Sequence, residues 1–97
     1  MAIEIFSGVN NEIEALGHEM YRVREGEMEL YVKRMCDKDG RPEVYSWMLD
    51  MYPPGAATGS MEFYYSLESL EADCRWVKGI ANIHRQRESA ACTLQSA

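Results

Sequence analysis

Asn10-Asn11-Glu12-Ile13-Glu14-Ala15-Leu16-Gly17-His18-Glu19-Met20-Tyr21-Arg22-Val23-Arg24-Glu25-Gly26 is the stretch on which the fold turns. Ile13, Leu16, Met20 and Val23 recur at steps of three, four and three, the spacing of one helical face. Asn11 stands three residues before Glu14, an order in which a cap side chain and a returning carboxylate satisfy the free N–H groups that open a helix. Gly26 supplies a stop. The spacing predicts a helix from Asn11 to Gly26. A strand over Glu19 to Glu25 is the rival, because Tyr21 and Val23 also alternate and Gly17 weakens a helix interior by about 1 kcal/mol.

On the N-terminal side, Ile3 and Ile5 alternate with Glu4, so Ala2 to Phe6 reads as a short strand. On the C-terminal side the period is two. Met28, Leu30 and Val32 face one way, and Glu27, Glu29, Tyr31 and Lys33 the other. Asp37-Lys38-Asp39-Gly40-Arg41-Pro42 then reverses the chain, since Asp39-Gly40 tolerates positive φ and Pro42 cannot donate to a central ladder. Val44 to Met51 returns with Tyr45, Trp47, Leu49 and Met51 on one face and the apolar Val44 and Met48 on the other, the pattern of a central strand. Tyr52 to Ser60, with two prolines and two glycines, is a surface loop. Met61 to Tyr65 is another strand.

Ser66 can cap a final helix over Leu67 to Arg87. Glu68, Glu71 and Asp73 crowd its positive start, Arg75, Lys78, Arg85 and Arg87 its negative end, and Glu71 faces Arg75 at i, i+4. Leu67, Leu70, Cys74, Val77 and Ala81 form its apolar stripe, and Ile80, Trp76 and Ile83 widen it beyond what one sheet face covers. A second element, either the first helix or another chain, is expected over Trp76 and Ile83. The order is β-α-β-β-β-α: an α+β domain, an antiparallel sheet packed against two helices, over residues 1–88, with a flexible tail over 89–97.

The 97 residues fit one domain, and 46% hydrophobic residues with two Trp, six Tyr and two Phe exclude a disordered chain. No apolar run reaches the roughly 18 residues that span a bilayer, and no signal peptide opens the chain, so a cytoplasmic location without membrane contact is expected. Cys36, Cys74 and Cys92 are odd in number and form no CxxC pair, which disfavours a disulfide framework or a zinc ribbon. Cys74 reads as a small core side chain, and Cys36 beside Asp37 as an inert thiol. Asp37-Lys38-Asp39-Gly40 lacks the third acid and the closing Glu of a calcium loop, and a zinc site from His84, Cys74 and Asp73 would need further ligands. No GxSxG, HExxH, P-loop or dinucleotide signature is present. Neither enzyme activity, nor a metal, nor a cofactor is expected.

The order helix, strand, strand, strand, helix resembles the double-stranded-RNA-binding domain over residues 11–88. That family sets lysines at the start of its last helix, where this chain sets Glu68, Glu71 and Asp73, so direct nucleic-acid binding is disfavoured. What remains is an acidic chain, net charge -6, with more Met, Tyr and Trp than a small core needs. It reads as a protein-binding module. In size, charge and element order it is similar to small inhibitors carried by phages and mobile elements, including anti-CRISPR proteins, many of them acidic α+β domains. The resemblance implies a basic nucleic-acid-binding complex as partner, met by Glu12, Glu14, Glu19, Glu25, Glu27 and Glu29 with Tyr31, Tyr64, Trp76 and Ile83 as anchors. A homodimer joined through Trp76 and Ile83, and a small-molecule site or enzyme near His84 and Cys74, are the alternatives. Tyr31, Val44, Met48 and Tyr64 are expected on the outer sheet face.

Overall fold

The computed structural model describes residues 3–36, 39, 42–55 and 59–96; side chains are described within these except at 42–45 and 91–96. The chain is α+β. Strands β1 (Glu4–Ser7), β2 (Glu12–Gly17), β3 (Met20–Glu25), β4 (Met28–Cys36), β5 (Pro42–Tyr52) and β6 (Ser60–Tyr64) form one antiparallel sheet in sequential order. Helices α1 (Leu67–Asp73) and α2 (Ile80–Ser96), joined through a 3-10 turn at Arg75–Val77, follow the sheet.

The expected first helix is not formed. Residues 12–25 make the hairpin β2–β3 instead, with Gly17 opposite Met20 and His18-Glu19 at the turn. Ile13, Ala15, Tyr21 and Val23 are all buried, whereas the proposed helical face is split: Leu16 and Met20 are only half-buried. Each period offers four side chains to a core, and the hairpin buries the set with a period of two, putting Ala15 and Tyr21 where a helix would have put Leu16 and Met20. Asn10 and Asn11 still bond backbone, but elsewhere. Asn10 Nδ2 donates to the Arg75 carbonyl at 2.7 Å and Asn11 Nδ2 to the Trp76 carbonyl at 3.3 Å, so these amides hold the distant 3-10 turn. Without the first helix, the order shared with the double-stranded-RNA-binding domain disappears.

The single last helix is also corrected. It breaks at Cys74, and Gly79 adopts φ +104, a conformation that favours glycine. Its would-be Cβ would lie 3.3 Å from Val9 N, because the β1–β2 turn docks here through a Val9 N–H to Lys78 carbonyl bond of 2.9 Å. Glu71 does not pair with Arg75. Its carboxylate accepts from Gly79 N at 2.8 Å and Ala81 N at 3.3 Å, meeting two free N–H groups at the positive end of α2. Ser66 caps α1 as expected, accepting from Ser69 N. The helix α2 runs on to Ser96, past the expected end at Arg87.

Breaking the helix solves the problem of the wide stripe. Leu67, Leu70, Cys74, Val77, Ile80, Ala81 and Ile83 all enter one core with Ile13, Ala15, Tyr21, Val23, Leu30, Val32, Trp47 and Leu49. Ile83 is 5% exposed, so a twofold contact through it is ruled out in the folded chain; its cover comes from the sheet of its own chain. Trp76 is half-buried against the same core. The expected faces of β4 hold, with Leu30 and Val32 buried; β3 and β4 are the middle strands, and β5 is an interior strand covered on one face only, its Met48 being half-buried on the other. The chain reverses between Cys36 and Pro42, which pair; residues 37, 38, 40 and 41 of that turn, residues 56–58 of the following loop, and the side chains of Val44, Tyr45 and Cys92 lie outside the described residues.

Candidate interaction surface

Both helices pack on one face of the sheet, and the other face is left open. Its composition follows from register. One cross-strand row runs Ile5, Glu14, Arg22, Tyr31, Asp50, Met61 through all six strands, and a second runs Met20, Lys33, Met48, Phe63. Among the described residues of this face only Asp50 is buried. Ile5 is 61% exposed, Met61 62% and Phe63 44%, and Met20, Met35 and Met48 are half-buried between them. An apolar face that no part of the described chain covers marks a contact surface more strongly than scattered exposed residues do.

The expected site residues are brought together only in part. Glu12, Glu14, Glu29 and Tyr31 lie on the open face. Glu14 is held by Arg22, whose Nε donates to Oε2 at 2.9 Å, and Glu29 accepts from the Tyr31 hydroxyl at 2.8 Å. Glu19 sits in the β2–β3 turn beside Arg34 Nε at 3.0 Å. Glu27 sits in the β3–β4 turn, and Glu25 lines a recess with Asn10, Asn11, Arg75 and Trp76. Glu27, Glu29 and Tyr31 thus meet at one cleft with Asp50, while Glu12, Glu14, Glu19 and Glu25 do not line it. Tyr64 was expected on the outer face and is on the inner one. It stands opposite Trp47, packs on the core, and its hydroxyl lies 2.6 Å from Glu62 Oε2 and 2.7 Å from Asp73 Oδ2. Partial burial and these two carboxylates raise its pKa well above the usual phenol range.

The second place with chemistry is on the helix side. His84 is 5% exposed, with its ring edge-on to Trp47 at 5.0 Å and to Tyr21 at 5.7 Å. Arg87 Nη1 donates to the Tyr21 hydroxyl oxygen at 2.9 Å, which leaves the phenol proton for His84 Nδ1 at 2.5 Å. The imidazole proton then belongs on Nε2, 3.4 Å from Glu88 Oε1. Burial holds His84 below its ordinary pKa and pushes Tyr21 above its own. Arg87 also donates to the carbonyls of Gly17 and His18, each at 2.9 Å. This chain of bonds fastens α2 to the β2–β3 turn. A cleft of about 290 Å³ beside it is lined by Arg34, Trp47, Glu68, His84, Arg85 and Glu88 among others, with acids and bases balanced. Cys74 is buried in the core, and among the described residues no group of three or more His, Cys, Asp or Glu is placed to hold a metal ion.

Tyr31 and Met48 lie on the open face as the sequence pattern has them, whereas Ile5 and Met20 were not legible there, because Glu12, Glu14, Arg22 and Arg24 crowd the same stretch of sequence until pairing brings the strands side by side. The signal that could have found it was the alternation at 12–17 and 20–25. Among the described residues no helix is long and apolar enough to cross a membrane. Comparison with protein-family models, with curated proteins and with solved structures finds no match for this chain.

Proposed function

We propose that the chain is a protein-binding module whose contact surface is the open face of the sheet. The observation that carries this reading is the open face itself, where Ile5 on β1 and Met61 and Phe63 on β6 are exposed and Met20, Met35 and Met48 on the strands between are half-buried. Methionines and aromatics supply adaptable contact area, and the Glu14–Arg22 pair set among them adds polar contacts. The net charge of -6 favours a basic counter-surface. The finer reading is an inhibitor that occupies a nucleic-acid-binding groove, as anti-CRISPR-type proteins do. It is supported by size, acidity and α+β class, and the apolar face, more than a cluster of carboxylates, would supply its adhesion.

The test is capture of partners on the immobilised full chain, repeated with Phe63→Asp and Ile5→Asp and with nucleic acid as competitor. Both positions are exposed on strands at the sheet edges, so the variants should unfold at the wild-type temperature. Loss of the captured species with the fold intact is the expected result. Competition by nucleic acid would favour the inhibitor reading. Equal capture by wild type and both variants would remove the open face from function. Light scattering on the same proteins separates a hetero-partner from a second copy of this chain.

A further inference from the structure

We infer that a cleft in the open sheet face is a socket for the N–H-bearing cationic head of a partner protein's Arg or Lys side chain. The inference rests on the reading of that face as a binding surface and assigns the chemistry of its centre. Asp50 lines the cleft and is 6% exposed, and its Oδ1, sealed from solvent, has no hydrogen-bond partner among the described residues. Buried polar atoms are almost always bonded, and a carboxylate oxygen can only accept. What is missing is therefore a donor. The cleft, about 440 Å³ and open to solvent, is also lined by Glu27, Glu29, Tyr31, Tyr52 and Lys33.

Three carboxylates against one ammonium make it a place for positive charge. Tyr31 and Tyr52 meet edge to face at 5.8 Å and offer ring surface to a cation. Lys33 does not meet the need. Among the described residues no ion pair joins it to Asp50. A quaternary ammonium would satisfy the charge and the rings but leave Oδ1 bare. A guanidinium or primary ammonium satisfies both and can also donate to the Asp50 carboxylate once that group turns toward the cleft. The cleft runs toward the β3–β4 turn and the loop after β5, and Met48 and Met61 stand outside it beside Lys33 and Asp50. A head group arriving on a protein surface would be followed by contact with them, which a free small cation would not use.

The experiment is NMR titration of the full chain with N-acetyl-arginine amide, N-acetyl-lysine amide, agmatine and tetramethylammonium. Saturable shifts at Asp50, Tyr31 and Tyr52 with the arginine and lysine probes are expected, with tetramethylammonium weaker. Asp50→Asn keeps the shape and should weaken the arginine probe by about tenfold or more, as loss of a charge-assisted bond does. Glu29→Gln, a more exposed position, should weaken it less and serves if Asp50→Asn fails to fold. The absence of saturable shifts, or equal binding by the variants, overturns the socket. Agmatine binding more than about tenfold tighter than the blocked arginine would overturn its assignment to a protein side chain and point to a free small cation. Phe63 does not line the cleft, so the outcome of Phe63→Asp capture judges the interface separately from the socket.

Discussion

Replacing Tyr21 by Phe removes one oxygen from a buried polar contact. Tyr21 is fully buried, and its hydroxyl accepts from Arg87 at 2.9 Å while bonding His84 Nδ1 at 2.5 Å. Phenylalanine fills the same volume, so no cavity term enters. Arg87 keeps the Gly17 and His18 carbonyls, and its loss is small. His84 keeps nothing at Nδ1, and its Nε2 already lacks a hydrogen bond. Stranding a buried acceptor costs about 1–3 kcal/mol. For a domain of this size that corresponds to a fall in melting temperature of about 5–20 °C. Urea unfolding should show a lower midpoint at unchanged slope, since the surface exposed on unfolding is the same. The double variant with Arg87→Met should be less destabilised than the sum, by about 0.5 kcal/mol or more, because both substitutions break one chain of bonds. A loss under about 0.5 kcal/mol for Tyr21→Phe would refute the reading of His84 as a buried fastening and reopen the cleft beside it as a reactive site.

The depressed pKa of His84 sets a pH dependence with a definite sign. The folded chain holds this ring neutral below the ordinary value of 6.5, so its contribution to stability is complete above pH 6.5 and is lost as pH falls below it, while the unfolded chain takes up a proton and the folded chain does not. Urea midpoints of wild type and His84→Asn measured between pH 8 and 5 should therefore converge as the solution is acidified; a constant difference would contradict the assignment. Gly79→Ala places a Cβ at φ +104 and 3.3 Å from Val9 N, and should cost about 1–3 kcal/mol by the same assay. A neutral result there would mean that α1 and α2 do not meet in the bent form described.

Residues whose local pattern admits one structure were legible in the sequence. Leu30 and Val32 alternate with charged neighbours and are buried as the alternation requires. Ser66 caps a helix where its hydroxyl and the following apolar spacing place one. The class itself, α+β with an antiparallel sheet and helix after the last strand, follows from such segments; the two helices are not the two expected, since both come from the break in the last one. Other features depend on partners far along the chain. Residues 12–25 satisfy both periods, because Ile13, Leu16, Met20 and Val23 fit a helix while Ile13, Ala15, Tyr21 and Val23 fit two strands in phase. The choice falls to β4, which offers Tyr21 and Val23 a paired edge that no local term contains. Asn10 and Asn11 carry capping chemistry in either case, and only the fold delivers the Arg75 and Trp76 carbonyls to them. The open face is likewise a product of pairing. Ile5 and Met61 are 56 positions apart, and they become the two ends of one row only through the register of five strand pairs. Sequence determined which side chains are apolar and with what period; tertiary structure decided which of them are covered, because burial is a property of the second surface as much as of the first.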